Sequence, residues 1–290
     1  MTICNIMFGK DKESKNIVDL AQEFEEGKTE ASPTAPPSPA NSTVPQVSEI
    51  KDAVASLLEN VKNVDSYVEF NLPSLGKMYS DYDSDTVKVR ALKFSDEKRI
   101  QSGSQGDRAL NALNNVLADC IQGPAYKDLT VPDKLFCLYK IRELSYGSKY
   151  EYAVDCDSCS HETSLGYQLS SMKVDYLEGD IESETTVILP DSKKTARVSA
   201  LRVVDEPNIQ SIKQVIESLP DYILEVEGIT DKTIISLFLE GTTVRDVAAL
   251  RKVIFSPSYG LNTDTDWICD KCGAENSQSI GINSNFFFTS

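Results

Sequence analysis

At 290 residues the chain can bury a sizeable core, in one large domain or two small ones. Its 45 acidic residues against 29 Lys and Arg leave a formal net charge of -16, a field that repels phosphate backbones and argues against a nucleic-acid partner. With no apolar run of membrane-spanning length and no basic-then-apolar leader, the expectation is a protein made and used in a cytosol, without a membrane partner.

Residues 1–46 read as a disordered acidic and Pro-rich tail. Glu30 to Val44 holds four prolines among Ala, Ser and Thr, and such a stretch buries too little to repay its ordering entropy. Thr2 to Phe8 is the apolar exception and reads either as a plain terminus or as a short docking peptide on a tether. Residues 47–64 carry an amphipathic helix with Ser48 as N-cap and Ile50, Val54, Leu57, Leu58 and Val61 on one face. Residues 65–290 are expected to form one α+β domain, with 170–262 as an inserted region of a hairpin and helices.

Within that domain, Val68 to Tyr79 begins as a strand and breaks at Pro73 and Gly76. Asp81, Asp83 and Asp85 mimic the opening of a calcium loop, but Thr86 and Leu92 stand where the glycine and the bidentate glutamate belong, so this is a solvated turn. Thr86 to Leu92 alternates as a strand, and Phe94 to Ile100 starts a helix. Asp107 to Ile121 is a helix ended by Gly123-Pro124. Another runs on from Thr130, where Thr130-x-x-Asp133 reads as a variant capping box. These last two helices are expected to form an antiparallel hairpin.

Tyr146-Gly147 stops that helix, Tyr150 to Val154 alternates as a strand, and Thr163 to Leu169 returns beside it. Thr186 to Leu189 and Ala196 to Leu201 flank Pro190-Asp191-Ser192 as a second hairpin. Helices are expected over Glu206 to Ser218, Lys232 to Leu239 and Thr243 to Ile254, the last opened by a second Thr-x-x-Asp box, Thr243 to Asp246. Thr265 to Ile268 and Ser277 to Phe288 are the closing strands.

The residues that carry chemistry are cysteines. Four of the seven fall in two C-x-x-C steps, Cys156/Cys159 and Cys269/Cys272, while Cys4, Cys120 and Cys137 stand singly. Both steps read C-D-x-C-x-x-E, and both sit between strands. Two such turns face to face make a tetrahedral four-sulfur site, which suits structural zinc, with iron as the open alternative. A redox dithiol would place one C-x-x-C at a helix N-terminus instead. A closed site leaves no open position for water or substrate, so neither catalytic nor small-molecule-binding residues are expected. His161, the one histidine, is the alternative ligand or acid-base group; its counterpart in the second step is Ala274. The fold expected is therefore α+β: a helical hairpin and short antiparallel strands, with a split zinc-ribbon-like site joining distant parts of the chain.

Three stretches resemble a family of T4-like bacteriophage baseplate hub proteins. Leu72 to Tyr79 (LPSLGKMY) resembles its L-P-S-x-G-x-x-Y element. Asp133 to Cys159 resembles its central signature, a helix ending in I-R-x-x-S-Y-G-x-x-Y followed by a strand and a cysteine knuckle. Thr243 to Leu250 resembles a later helix opening. Asp157 and Ser160 depart from the family's C-P-x-C-G knuckle. The resemblance implies a structural or assembly role in the hub of a contractile-tail baseplate, located in the virion, assembled in the host cytoplasm, and partnered with other baseplate and tail proteins. The competing reading is a zinc-ribbon nucleic-acid binder. It wants basic and aromatic residues around the knuckles, where this chain has Asp155, Asp157, Asp264, Asp266 and Asp270.

Overall fold

A computed structural model describes residues 47–58, 66–102, 107–179, 184–208, 211–280 and 286–287; the tail expected over residues 1–46, with Thr2 to Phe8, lies outside them. The chain divides into two compact units, one over residues 10–63 and one carrying residues 64–290. In the first, the described part is helix α1, Val47–Leu58. Ser48 lies inside its first turn and is therefore not the cap expected of it. The rest of the expected helix falls outside the described residues.

The larger unit opens with a three-stranded antiparallel sheet made by β1 (Val68–Asn71), β2 (Thr86–Val89) and the short β3 (Ile121–Gln122). Between β2 and β3 come α2 (Phe94–Ser102) and α3 (Asp107–Cys120), and these two helices pack on each other. The expected pairing of α3 with the next helix, α4 (Val131–Tyr146), is not the one formed. The chain leaves α3 straight into β3, which pairs with β2, and a 3-10 turn at Tyr126–Asp128 follows before α4 begins. Sheet and α4 share one core that includes Leu72, Val87, Val89, Leu117, Phe136 and Ile141.

Beyond α4, β4 (Lys149–Asp155) and β5 (Glu162–Gln168) form the first knuckle hairpin, and β6 (Val174–Asp175) leads away from it. Strands β7 (Glu184–Ile188) and β8 (Thr195–Ser199) form the expected second hairpin. The helix expected over Glu206 to Ser218 is broken. Pro207 falls within it, residues 203–208 form a 3-10 turn, and α5 covers only Ile212–Ser218, capped by the Ser211 hydroxyl. Strand β9 (Ile223–Val226) was not expected; it completes a sheet on β8. Helices α6 (Lys232–Glu240) and α7 (Val244–Phe255) follow as expected. Their buried side chains build a second core with this sheet, centred on Leu189, Val198, Ile223, Ile235, Leu250 and Ile254. Strand β10 (Gly260–Leu261) pairs with β6, and β11 (Asp264–Ile268) with β12 (Glu275–Ser279) makes the second knuckle hairpin. β12 stops well short of the expected Phe288, because Phe286 and Phe287 leave the strand and pack into the first core. Among the described residues there are seven α-helices and short antiparallel strands, an α+β fold, and no helix is long and apolar enough to cross a membrane.

Helix α4 explains the signature motif. It is buried around so much of its circumference that its charged residues need partners inside the protein. Asp133, with 0% of its surface exposed, accepts from Ser74 N (3.0 Å) and Tyr79 Oη (2.5 Å). Both donors belong to the LPSLGKMY stretch, so the two sequence motifs meet at this carboxylate. Thr130 is the N-cap residue, but its side chain makes no capping bond; its N–H donates to Tyr79 Oη at 3.0 Å. The expected capping box is thus replaced by a tertiary clamp. Lys134 pairs with buried Glu206 at 2.5 Å. Arg142, 1% exposed, donates through Nε to Phe286 O at 2.7 Å and stacks over Tyr146, 4.6 Å from the ring centroid. Ser145 Oγ accepts from Leu92 N at 2.8 Å, and Tyr146 Oη donates to Glu97. Gly147 ends the helix with φ at 87°, a conformation that glycine adopts without strain.

Asp246, at the corresponding third position of α7, does similar work in the second core. Thr243 caps the helix by accepting from Asp246 N at 3.2 Å, while the carboxylate accepts from Asp191 N (2.7 Å) and Ser192 N (3.0 Å) in the β7–β8 turn. Burial works to raise the Asp246 carboxyl, but those two N–H donors outweigh it and hold it below the usual carboxylate range. Each Thr-x-x-Asp therefore ties the start of a helix to a distant turn.

Candidate metal centre

The two knuckle hairpins bring Cys156, Cys159, Cys269 and Cys272 together, with all four sulfurs within 4.8 Å of one another. The close contacts run between the hairpins: Cys156 Sγ to Cys272 Sγ is 3.6 Å, and Cys159 Sγ to Cys269 Sγ is 3.8 Å. A disulfide needs about 2.05 Å. Four sulfurs each about 2.3 Å from one tetrahedral ion stand roughly 3.8 Å apart. The observed spacing fits the ion and not the disulfide. Among the described residues this is the one cluster of Cys, His and carboxylate groups with ligand atoms placed to hold a metal.

The hairpins are built alike. In the first, Cys156 N donates to His161 O (3.0 Å) and Ser160 N to Cys156 O (2.8 Å); in the second, Cys269 N donates to Ala274 O (2.9 Å) and Gly273 N to Cys269 O (2.9 Å). The residue after the second cysteine is left-handed in both, with φ of 54° at Ser160 and 71° at Gly273. An L-residue pays about 1 kcal/mol for that conformation. Ser160→Gly is accordingly expected to raise stability by about 0.5–1 kcal/mol, seen as a higher denaturant midpoint with unchanged slope.

The halves also interlock reciprocally. Seven positions beyond the first cysteine stand Thr163 and Asn276. Thr163 Oγ1 donates to Asp270 Oδ1 (3.2 Å), and Asn276 Oδ1 accepts from Asp157 N (3.1 Å). Each contact reaches the residue just after the first cysteine of the other knuckle. Two positions before the first cysteines, Val154 and Trp267 pack with Cys156 and Cys269 into a small separate core. These pairs lie outside the C-D-x-C-x-x-E match and are not legible from it. Their signal is a shared offset from the cysteines, legible once the two copies are aligned. His161 turns away from the sulfurs, with Nε2 3.4 Å from Asp270 Oδ1, and is not part of the cluster.

Four thiols this close titrate as one group. Burial opposes ionisation of Cys156, but donation from Ser158 N, Cys159 N and the Cys272 and Cys269 thiols outweighs it and brings Cys156 down to about 6. At Cys272 the Ala274 N–H favours the thiolate, yet the neighbouring sulfurs and burial prevail and push it up to about 12.

Residues 48–288 match the family model described as T4 bacteriophage base plate protein. The chain belongs to this family. It is a structural component of a phage baseplate, and the match takes in α1, both cores and both knuckles. No curated protein and no solved structure matches the chain. The baseplate protein also has a groove of about 730 Å3 between its two cores, walled largely by apolar side chains such as Val131, Leu135, Val187, Leu201 and Phe255.

Proposed function

We propose that this baseplate protein is a hub component of a contractile tail, or a factor that helps build the hub, and that it works by binding other baseplate and tail subunits rather than by turning over a substrate. In this reading Cys156, Cys159, Cys269 and Cys272 hold one structural zinc. The supporting observation is the tetrahedral spacing of four thiols carried by two hairpins that lie 110 residues apart in sequence. Zinc rather than iron follows from the closed, redox-silent character a scaffold needs. The ion's contribution is to tie β4–β5 to β11–β12, so that residues 170–262 stand as an insertion between the two halves of one fastener. Closing so long a loop removes much of the freedom of the unfolded chain.

The protein then acts in the virion tail after assembly in the host cytoplasm. A phage strain lacking it is expected to make no complete contractile tails, with infectivity restored when the chain is supplied in trans; complete infectious tails in its absence would defeat the reading. Helix α1 offers a finer test. The side chains of Val54 and Leu57 are 48% and 79% exposed, an apolar stripe left for a neighbour. Leu57→Asp with Leu58→Asp should leave the metal centre folded and block tail assembly. Normal tails from the double variant would remove α1 from the assembly interface.

A further inference from the structure

We infer that the groove between the two cores is a docking seat for a short segment of another tail subunit, one that carries adjacent aromatic side chains. The inference rests on the reading that the protein works by binding such subunits, and on a repeat within the chain. One constant spacing, with no insertion or deletion, carries Thr130-Val131 onto Thr243-Val244, Asp133 onto Asp246 and Tyr146-Gly147 onto Tyr259-Gly260. The same spacing carries Cys156-Asp157 onto Cys269-Asp270, Cys159 onto Cys272 and Glu162 onto Glu275. The structure repeats with it. Sheets β1-β2-β3 and β7-β8-β9 share one strand order. The first strand of each runs into a buried leucine and a proline, Leu72-Pro73 and Leu189-Pro190. The next N–H, of Ser74 or Asp191, donates to the carboxylate of Asp133 or Asp246. Exchanging the two knuckles turns the Cys156–Cys272 contact into the Cys269–Cys159 contact. The chain is therefore two copies of one module that meet at the four sulfurs.

The two modules differ in how one seat is filled. In the first, Phe286, from beyond β12, sits against α4 and β4. Its ring stands 4.9 Å from that of Tyr139 and 5.2 Å from that of Tyr150, and Phe287 packs edge-on against it at 5.2 Å. Its carbonyl accepts from Arg142 Nε at 2.7 Å, and Arg142 lies over Tyr146. The repeat carries Tyr139, Arg142, Tyr146 and Tyr150 onto Lys252, Phe255, Tyr259 and Thr263, and all four of these line the groove. The groove is thus the second module's copy of the Phe286 seat. It stands open because Thr263 replaces the ring of Tyr150, and because Lys173 stands where the spacing puts Phe286. The Lys173 backbone reaches the seat, where its carbonyl accepts from Asn262 N at 2.9 Å, but its side chain is exposed and pairs with Asp175. The filled seat shows what a seat of this build takes: adjacent aromatic side chains, which bury a large area at low cost in conformational entropy. A second copy's own pair is not free to supply them. Phe286 and Phe287 are 0% and 4% exposed in their own first core, so the occupant comes from a different chain.

The test uses the full chain, with a fluorescein-labelled peptide of the sequence that fills the first seat, SNFFFTS, as probe. Fluorescence anisotropy is expected to show saturable binding, lost when every phenylalanine of the peptide is replaced by alanine. Ala249→Glu puts a charge on the apolar wall of the groove, and Ser256→Tyr adds bulk at its exposed rim. Each is expected to weaken binding about tenfold or more. Trp267 emission reports whether the variants stay folded, and if it moves in Ala249→Glu, Ser256→Tyr decides alone. No saturable binding, or binding that the folded variants leave unchanged, overturns the inference. In purified tails, a photo-reactive benzoyl-phenylalanine in place of Ser256 is expected to cross-link to an aromatic segment of a different subunit. Cross-linking only to a second copy of this chain, or to no protein at all, overturns the assignment to another subunit. Tails that lack the protein altogether would defeat the hub reading and the tail partner with it, whereas the peptide result tests the groove by itself.

Discussion

Cys156→Ser is expected to abolish metal binding and to lower stability by about 5 kcal/mol or more, because the free energy of holding a structural zinc is folding free energy. The damage should be local first. The small core of Val154, Cys156, Trp267 and Cys269 is separate from the other two, so the two knuckle hairpins come apart before the sheets do. The chain provides its own reporter: Trp267, the one tryptophan, is buried in this cluster. Its emission should shift to the red in the variant, and should do so in the unmodified protein on adding a strong chelator. Cys4→Ser should leave both emission and stability unchanged. A chelator that moves neither would mean that the knuckles close without an ion.

The second large effect is expected at Asp133. Asp133→Ala strands the Ser74 N–H and the Tyr79 hydroxyl without their acceptor in a dry interior, which costs about 3–5 kcal/mol and lowers the Tm on the order of 10 °C. Asp133→Asn keeps an acceptor for Ser74 and should lose far less. The pair of variants also has a pH signature. Burial pushes the Asp133 carboxyl above the usual carboxylate range, against the opposing pull of its Ser74 and Tyr79 donors. Since the folded-state pKa is the higher one, the protonated form supports folding. That contribution is fully present below the unfolded value near pH 4 and is lost as pH rises through the folded value. Stability measured in urea from pH 4 upward should therefore fall for the unmodified protein relative to Asp133→Asn. Parallel curves would show that the carboxyl titrates alike in both states.

What was legible in the sequence was local. The hairpins around Cys156 and Cys269, and the helices α4, α6 and α7, follow from apolar period, capping residues and breakers that act over a few positions. The misreadings came where distant parts of the chain decide. Thr243 caps its helix as expected and Thr130 does not, but Asp133 and Asp246, which sit where a capping box places its carboxylate, both hold a turn 50 or more residues away. Strand β9 was missed because its four residues are too few to show a period, and it forms on the open edge of β8; β12 was expected, but it runs over Glu275–Ser279 where it pairs with β11. The pairing of α3 was misassigned because two residues, Ile121 and Gln122, carry the chain into the sheet, and so short a strand leaves no periodicity to read. At the metal centre the four cysteines were visible from spacing, while Thr163, Asn276, Val154 and Trp267 were not, since their role depends on the two hairpins being laid against each other.

One chain is expected to close a four-sulfur metal site from hairpins far apart in its sequence. Zinc-edge X-ray absorption of protein purified without added metal tests it. About one zinc per chain, with a first shell of four sulfurs at about 2.3 Å and neither nitrogen nor oxygen, is the expected result. A folded, metal-free chain, or a zinc shell that includes nitrogen from His161 or oxygen from the surrounding carboxylates, would contradict it.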